Sequence, residues 1–169
     1  MTLCSAYPPS FVRAVLPELK RAVLVDVAIA DDLKRTPNVV AIEGTLPDAL
    51  AQVPAASLDI ILCISVLGHL WNPLAVLQES LRIVRPGGFC CFNVPSWRGK
   101  GFLEYSAFRL VLSPKEEMDD HKTYYDVRDL WPLLIRAGSI PSLTRCFSHK
   151  FGLNTFAVCM SPDRHGSET

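Results

Sequence analysis

Short apolar runs alternate with stretches of helical spacing along most of this chain, the pattern of strands feeding helices. Residues 10–21 carry Phe11, Val12, Val15, Leu16 and Leu19 on one helical face. Ser10 is placed to cap that helix and Pro17 to shorten or kink it. Residues 22–28, Ala-Val-Leu-Val-Asp-Val-Ala, read as a buried strand broken by one acid, Asp26. A short helix or turn at 31–35 leads through Pro37-Asn38 into a second strand at 39–43. A helical turn at 47–53 and a loop at 54–57 precede the longest apolar run, 58–65. A helix follows over 74–84, and Arg85-Pro86-Gly87-Gly88 turns the chain into another strand at 89–95. Strand, helix, Gly turn and strand make a crossover that fits a parallel βαβ unit.

Residues 98–120 are less regular, with a mildly helical stretch at 102–112. Asp126 is a good cap for a helix over 127–137, which Gly138 ends. Two strand-like runs, 143–147 and 154–160, then follow without a helix between them, and the polar tail 161–169 reads as disordered. The whole is one α/β domain over residues 1–160, an open, mostly parallel sheet closed by an antiparallel C-terminal edge hairpin. Ligands of such sheets sit at the carboxyl ends of the strands, near the switch in strand order. That directs attention to Asp26, residues 43–45, residues 65–69 and residues 95–97.

Composition narrows the function classes. Apolar residues make up 49% of the 169 residues and charged residues 20%, ordinary for a soluble globular chain. Lys plus Arg equals Asp plus Glu at 17 each, so no global field favours nucleic acid or an anionic membrane. Arg98 and Lys100 form a local basic pair, which reads as a solvated loop or a small anion site. No apolar run is long enough to span a bilayer, no signal-like block follows Met1, and a cytoplasmic location is expected. The six cysteines lack CxxC or Cys/His spacing; most lie in apolar runs and read as buried, reduced thiols, and no metal is expected.

Asp26 stands near the carboxyl end of its strand, where a carboxylate can accept hydrogen bonds from a ribose diol; an ion pair or a cap is the competing reading. Ile42-Glu43-Gly44-Thr45-Leu46 ends the next strand with a glycine that lets backbone approach a flat ring. The order Val-Asp-Val, Asn-Val-Val-Ala-Ile-Glu-Gly, Leu-Asp-Ile-Ile-Leu-Cys-Ile-Ser-Val-Leu-Gly-His-Leu and Val-Arg-Pro-Gly-Gly resembles class I S-adenosylmethionine-dependent methyltransferases. It is most similar to the small-molecule group, methyltransferase type 11, over roughly residues 4–160, with the block 120–138 matching as well. The resemblance implies a Rossmann-like sheet and S-adenosylmethionine as cofactor. It places Asp26 on the ribose, Thr45 and Leu46 beside the adenine, and Ile64 and Ser65 beneath the methionine portion. His69 falls near the acceptor. His69 and His121 are candidate bases, each with a structural alternative as a capping or anchoring residue. Trp97, Phe102, Tyr105, Phe108, Tyr124 and Tyr125 would shape the acceptor site, or serve as core.

The chain also departs from that family. Its first glycine is Gly44, so no Gly-rich turn precedes the first helix. The segment from Leu3 to Ser10 stands in its place, with Ser5 and Ala6 where small residues are wanted, and the first strand is expected to be clipped or missing. Thr45 stands where many members carry Asp, and Gly68 where Glu is usual. These departures fit an N-terminally shortened enzyme or a decayed homologue. The expected function is methyl transfer to a small-molecule or glycan-like acceptor, in a homodimer or heteromer. The alternative is an inactive relative kept as a binding or heteromer subunit. A nicotinamide enzyme is disfavoured because GxGxxG is absent. Nucleic-acid methylation is disfavoured by neutral charge and by Asn93-Val94-Pro95-Ser96.

Overall fold

The computed structural model describes residues 2–4, 9–101 and 123–163. Its strands are β1 (Thr2–Cys4), β2 (Ala22–Asp26), β3 (Val39–Glu43), β4 (Leu58–Ile64), β5 (Val84–Pro95), β6 (Thr144–His149) and β7 (Asn154–Met160). They form one sheet in the order β3-β2-β1-β4-β5-β7-β6. The pairs from β3 to β5 are parallel, while β7 runs antiparallel to both β5 and β6. The open, mostly parallel sheet with an antiparallel edge hairpin is thus as expected.

The first strand is short but present. Thr2, Leu3 and Cys4 pair with Val23, Leu24 and Val25 on one side and with Ile61, Leu62 and Cys63 on the other. Leu3 and Cys4 therefore belong to the centre of the sheet, not to the turn before the first helix.

The helices are α1 (Pro9–Val15), α2 (Asp31–Lys34), α3 (Asp48–Ala51), α4 (Pro73–Ile83) and α5 (Val127–Ala137). Helix α1 begins at Pro9, so Ser10 lies inside it rather than capping it; proline suits a first turn whose N–H groups have no helical partner. Pro17 acts as expected, because the α-helix gives way to a 3-10 turn over Leu16–Glu18. Asn72 caps α4 by accepting the Ala75 N–H at 3.2 Å. At α5 the Asp129 carboxylate accepts the Asp126 N–H at 3.0 Å, and Gly138 closes the helix at φ 106.

Alternation along the strands divides the core. Val23 and Val25 of β2 join Ile61, Cys63, Phe92, Val94, Ala157 and Cys159 beneath α3, α4 and α5, which contribute Leu50, Val76, Leu77, Leu130 and Leu134. Ala22 and Leu24 point the other way, against Val12 and Leu16 of the first helical segment and Leu33 of α2. Strands buried on both faces read as unbroken apolar runs, which is why the sequence shows them so clearly. Strand β5 starts earlier than expected, at Val84, which pairs with Leu58 before the register slips. Gly88 makes the slip possible, since a Cβ there would lie 2.5 Å from the Asp59 carbonyl oxygen and 2.8 Å from the Val84 side chain. At the far end, Ser161 donates to the Gly88 carbonyl at 2.8 Å and accepts from the Gly87 N–H at 3.2 Å. Pairing therefore continues one residue past β7.

Cys63, Cys90, Cys91, Cys146 and Cys159 are free thiols. Burial pushes Cys146 and Cys159 up to about 11. A thiol held neutral in the fold favours folding below its ordinary pKa and loses that contribution as pH rises toward its folded value. Melting temperature is therefore expected to fall between about pH 9 and 11. The decline should be blunted in a Cys146→Ser/Cys159→Ala double variant, as thermal melts across that range would register.

Candidate functional site

Strand order reverses between β1 and β4: the chain runs outward from β1 to β2 and β3, then returns to the other side of β1 as β4. The carboxyl ends of β1, β2 and β4 therefore frame the crevice where an open α/β sheet takes its ligand.

On one side stand two acids paired in register, Asp26 at the end of β2 and Glu43 at the end of β3. Their surroundings differ. Glu43 accepts the Ile29 N–H at 2.9 Å and pairs with Lys34 at 2.7 Å, so the Lys34 ammonium and the Ile29 N–H hold its carboxyl below the usual range. That acid is committed to pinning the loop after β2. Asp26 is half-buried; its carboxylate accepts the Val27 N–H at 2.6 Å, and its carbonyl accepts the Gly44 N–H at 2.9 Å. Among the described residues Asp26 has no cation partner.

Next to it Gly44 packs closely on Ala49, whose Cβ would lie 3.2 Å from an added Cβ. Thr45 is exposed, its carbonyl taking the Ala49 N–H at 2.9 Å, and Leu46 is half-buried against the main core.

On the other side Ile64 ends β4 half-buried, opposite Asn93. Ser65 follows at φ 56, the left-handed region that costs a residue with a side chain. Its N–H donates to the Asn93 carbonyl at 2.7 Å, and that bond holds the turn. A 3-10 turn over Leu67–His69 comes next, with Leu67 fully buried and His69 half-buried. The Thr123 N–H donates to the Gly68 carbonyl at 3.0 Å and the Tyr125 N–H to the Pro95 carbonyl at 3.1 Å. Residues 123–125 thus cross the ends of β4 and β5 beside His69. They set Tyr124 against Trp97, ring centroids 5.6 Å apart, with the Lys100 ammonium 5.7 and 5.6 Å from the two rings. Tyr125 is buried, and that burial raises its phenol pKa.

The structure thus gathers Asp26, Thr45, Leu46, Ile64, Ser65 and His69 along one end of the sheet. Ser5, Ala6 and His121, with Phe102, Tyr105 and Phe108, lie outside the described residues. Two features escaped sequence reasoning. Val27, 70% exposed, is an apolar side chain left on the rim directly after Asp26; its place behind a strand-ending acid was the available signal. Lys100 stands three residues after Trp97 in one helical stretch, and Tyr124 joins the pair through tertiary packing, which no local pattern reports.

A separate cavity of about 290 Å³ opens between α1 and α2, lined by Arg13, Leu16, Pro17, Asp32, Leu33, Thr36 and Asn38. Its polar groups serve the fold. Arg13 pairs with Asp32 at 2.7 Å, and the Asn38 amide donates to the Leu16 and Leu19 carbonyls at 3.1 and 2.8 Å.

Residues 13–92 match a family model described as a methyltransferase domain. The chain is thus similar to a methyltransferase domain over a little under half of its length. Within curated proteins, a ubiquinone biosynthesis O-methyltransferase of Paracidovorax citrulli is 30% identical over 93 residues, half of this chain. Those residues make up 39% of that relative's length, so the matched part spans about two fifths of it. Among solved structures, a methyltransferase of Haloferax volcanii in complex with the activator Trm112 superposes at a TM-score of 0.70 and 13% identity. The match covers 95% of this chain and 81% of that one. A SAM-dependent methyltransferase of Archaeoglobus fulgidus gives 0.65 and 12%, covering 94% and 84%. At such identities these structures share the methyltransferase fold.

Proposed function

We propose that this chain binds S-adenosylmethionine across the ends of β1, β2 and β4 and methylates a small-molecule or glycan-like acceptor. One observation carries the reading: a half-buried carboxylate, Asp26, held beside the switch point with no cation partner among the described residues. Such an acid is suited to accept the two hydroxyls of a ribose. The neighbouring groups fit the rest of the cofactor. Val27, Thr45 and Leu46 offer apolar and hydroxyl surface to the adenine, while Ile64 and Ser65 lie under the methionine portion. Ser5 and Ala6, which follow β1 in the sequence, stand where the resemblance to methyltransferases calls for the small residues of the cofactor turn.

S-adenosylmethionine brings an activated methyl group on a sulfonium, so little covalent chemistry is left to the protein. The protein's task is in-line positioning of the acceptor. Residues 123–125 and Trp97 wall the acceptor side. His69 is placed to take a proton from an acceptor hydroxyl, with His121 the second candidate base. An oxygen acceptor is favoured because the curated relative is an O-methyltransferase. The Haloferax methyltransferase is solved with an activator, which makes a heteromer a reasonable assembly to test alongside a homodimer.

Isothermal calorimetry with S-adenosylmethionine and S-adenosylhomocysteine tests the proposal. Saturable heat with micromolar dissociation constants is expected. No heat at millimolar ligand would sink the enzyme reading in favour of an inactive subunit.

A further inference from the structure

The neutral total charge conceals a strongly uneven distribution. Residues 80–103 contain no Asp or Glu but carry Arg82, Arg85, Arg98 and Lys100, and residues 130–162 likewise hold Arg136, Arg145 and Lys150 with no acid. Antiparallel pairing of β5 with β7 and of β7 with β6 lays these two segments side by side. Arg82 and Arg85 are neutralised by Glu79 and Asp59. Among the described residues Arg98 and Lys150 have no carboxylate partner.

These two cations flank the most exposed large apolar side chain among the described residues. The hairpin between β6 and β7 turns through Lys150, Phe151 and Gly152, all at positive φ (49, 58 and 83), and leaves Phe151 96% exposed. A left-handed phenylalanine is costly, and this one gains no packing in return. The tip is nonetheless firmly seated. The Ser96 hydroxyl donates to the Gly152 carbonyl at 2.5 Å, and the Ser96 N–H to the Leu153 carbonyl at 3.1 Å. Gly99 lies so close to the Leu153 carbonyl that no Cβ would fit. The Arg98 side chain lies over Gly152, with Nη1 3.2 Å from where a Cβ would stand. Trp97, 48% exposed, follows Ser96 on the same segment.

A rigidly held aromatic prong ringed by unpaired cations matches the chemistry of a bilayer interface, apolar below the headgroups and anionic at their level. We propose that the β6–β7 hairpin tip docks this protein peripherally on an anionic lipid surface, with Phe151 entering the acyl boundary and Arg98 and Lys150 contacting headgroup phosphates. Among the described residues no helix is long and apolar enough to cross a membrane. Asn154 pairs with Pro95, which places the tip at the carboxyl ends of the strands. Docking there turns the ligand-bearing end of the sheet toward the bilayer. The inference stands whether or not methyl transfer is confirmed.

Co-sedimentation of the full chain with vesicles tests it. Binding to phosphatidylcholine vesicles containing roughly one third phosphatidylglycerol should be salt-sensitive and at least about tenfold stronger than to phosphatidylcholine alone. Phe151→Asn, which suits the left-handed backbone, and the pair Arg98→Glu with Lys150→Glu should each weaken it about tenfold or more, with unchanged melting temperatures. Absence of vesicle binding by the wild-type chain overturns the proposal. So does vesicle binding that the variants leave intact, or binding to a polyglutamate peptide without binding to vesicles, which would assign the patch to an acidic protein.

Discussion

Replacing Asp26 by alanine is expected to weaken S-adenosylmethionine binding about a hundredfold while moving the ligand-free melting temperature by less than about 3 °C. Hydrogen bonds from neutral donors to a carboxylate contribute about 1.5–3 kcal/mol each, so loss of a ribose grip near 3 kcal/mol corresponds to roughly two decades in affinity. The small stability effect follows from what the carboxylate touches in the fold. It accepts one N–H, that of Val27, in an exposed loop where water can replace it. Glu43 provides the contrast in the same register: Glu43→Ala removes both the Lys34 pair and the acceptor for Ile29, and its effect should fall on the loop itself. Asp26→Asn, which keeps hydrogen-bonding capacity but not charge, should lie between wild type and alanine. Calorimetry and thermal melts on the same samples decide the matter. Unchanged affinity, or a large fall in melting temperature without ligand, would return Asp26 to a structural role.

The parts of the fold that were legible in the sequence share one physical property. Strands β2, β3, β4 and β7 are bounded by polar or turn residues, and the central ones are buried on both faces, so their apolar runs are continuous. Helix α5 announced itself through Asp126 and Gly138. What escaped was whatever depends on pairing rather than pattern. Thr2, Leu3 and Cys4 are too few to show periodicity, and only their partners on β2 and β4 make them a central strand. The start of β5 was hidden by Pro86 and two glycines, residues that normally break strands and here accommodate a register slip.

The site divides in the same way. An acid inside an apolar run is conspicuous, and Asp26 was legible for that reason. Ser65 was expected as cofactor floor, yet its left-handed backbone carries no sequence signal, because a glycine would normally mark such a position. The Trp97–Lys100–Tyr124 cluster joins residues from either side of 102–122, and the hydrogen bonds of Thr123 and Tyr125 to Gly68 and Pro95 hold the second side in place.

The converse of the Asp26 result is expected at Phe92. Its ring is fully buried at the middle of β5, between Cys63 of β4 and Ala157 of β7, in the same core as Leu130 and Leu134 of α5. Small residues on both flanking strands have no side-chain length with which to refill the space, so Phe92→Ala leaves most of its cavity open. A cost of about 3–5 kcal/mol is expected, a lowering of melting temperature of roughly 6–20 °C. That is a large share of the 5–15 kcal/mol typical of a whole domain. The side chain points to the helical face, away from the strand ends, so cofactor affinity measured well below the melting point should change by less than about threefold. Phe92→Leu should recover part of the lost stability. If Phe92→Ala melted normally, the division of the core between the two sheet faces would be wrong. If it instead lost cofactor affinity while keeping its melting temperature, the site would extend across that face, and stability and binding would not be separable at Phe92 and Asp26.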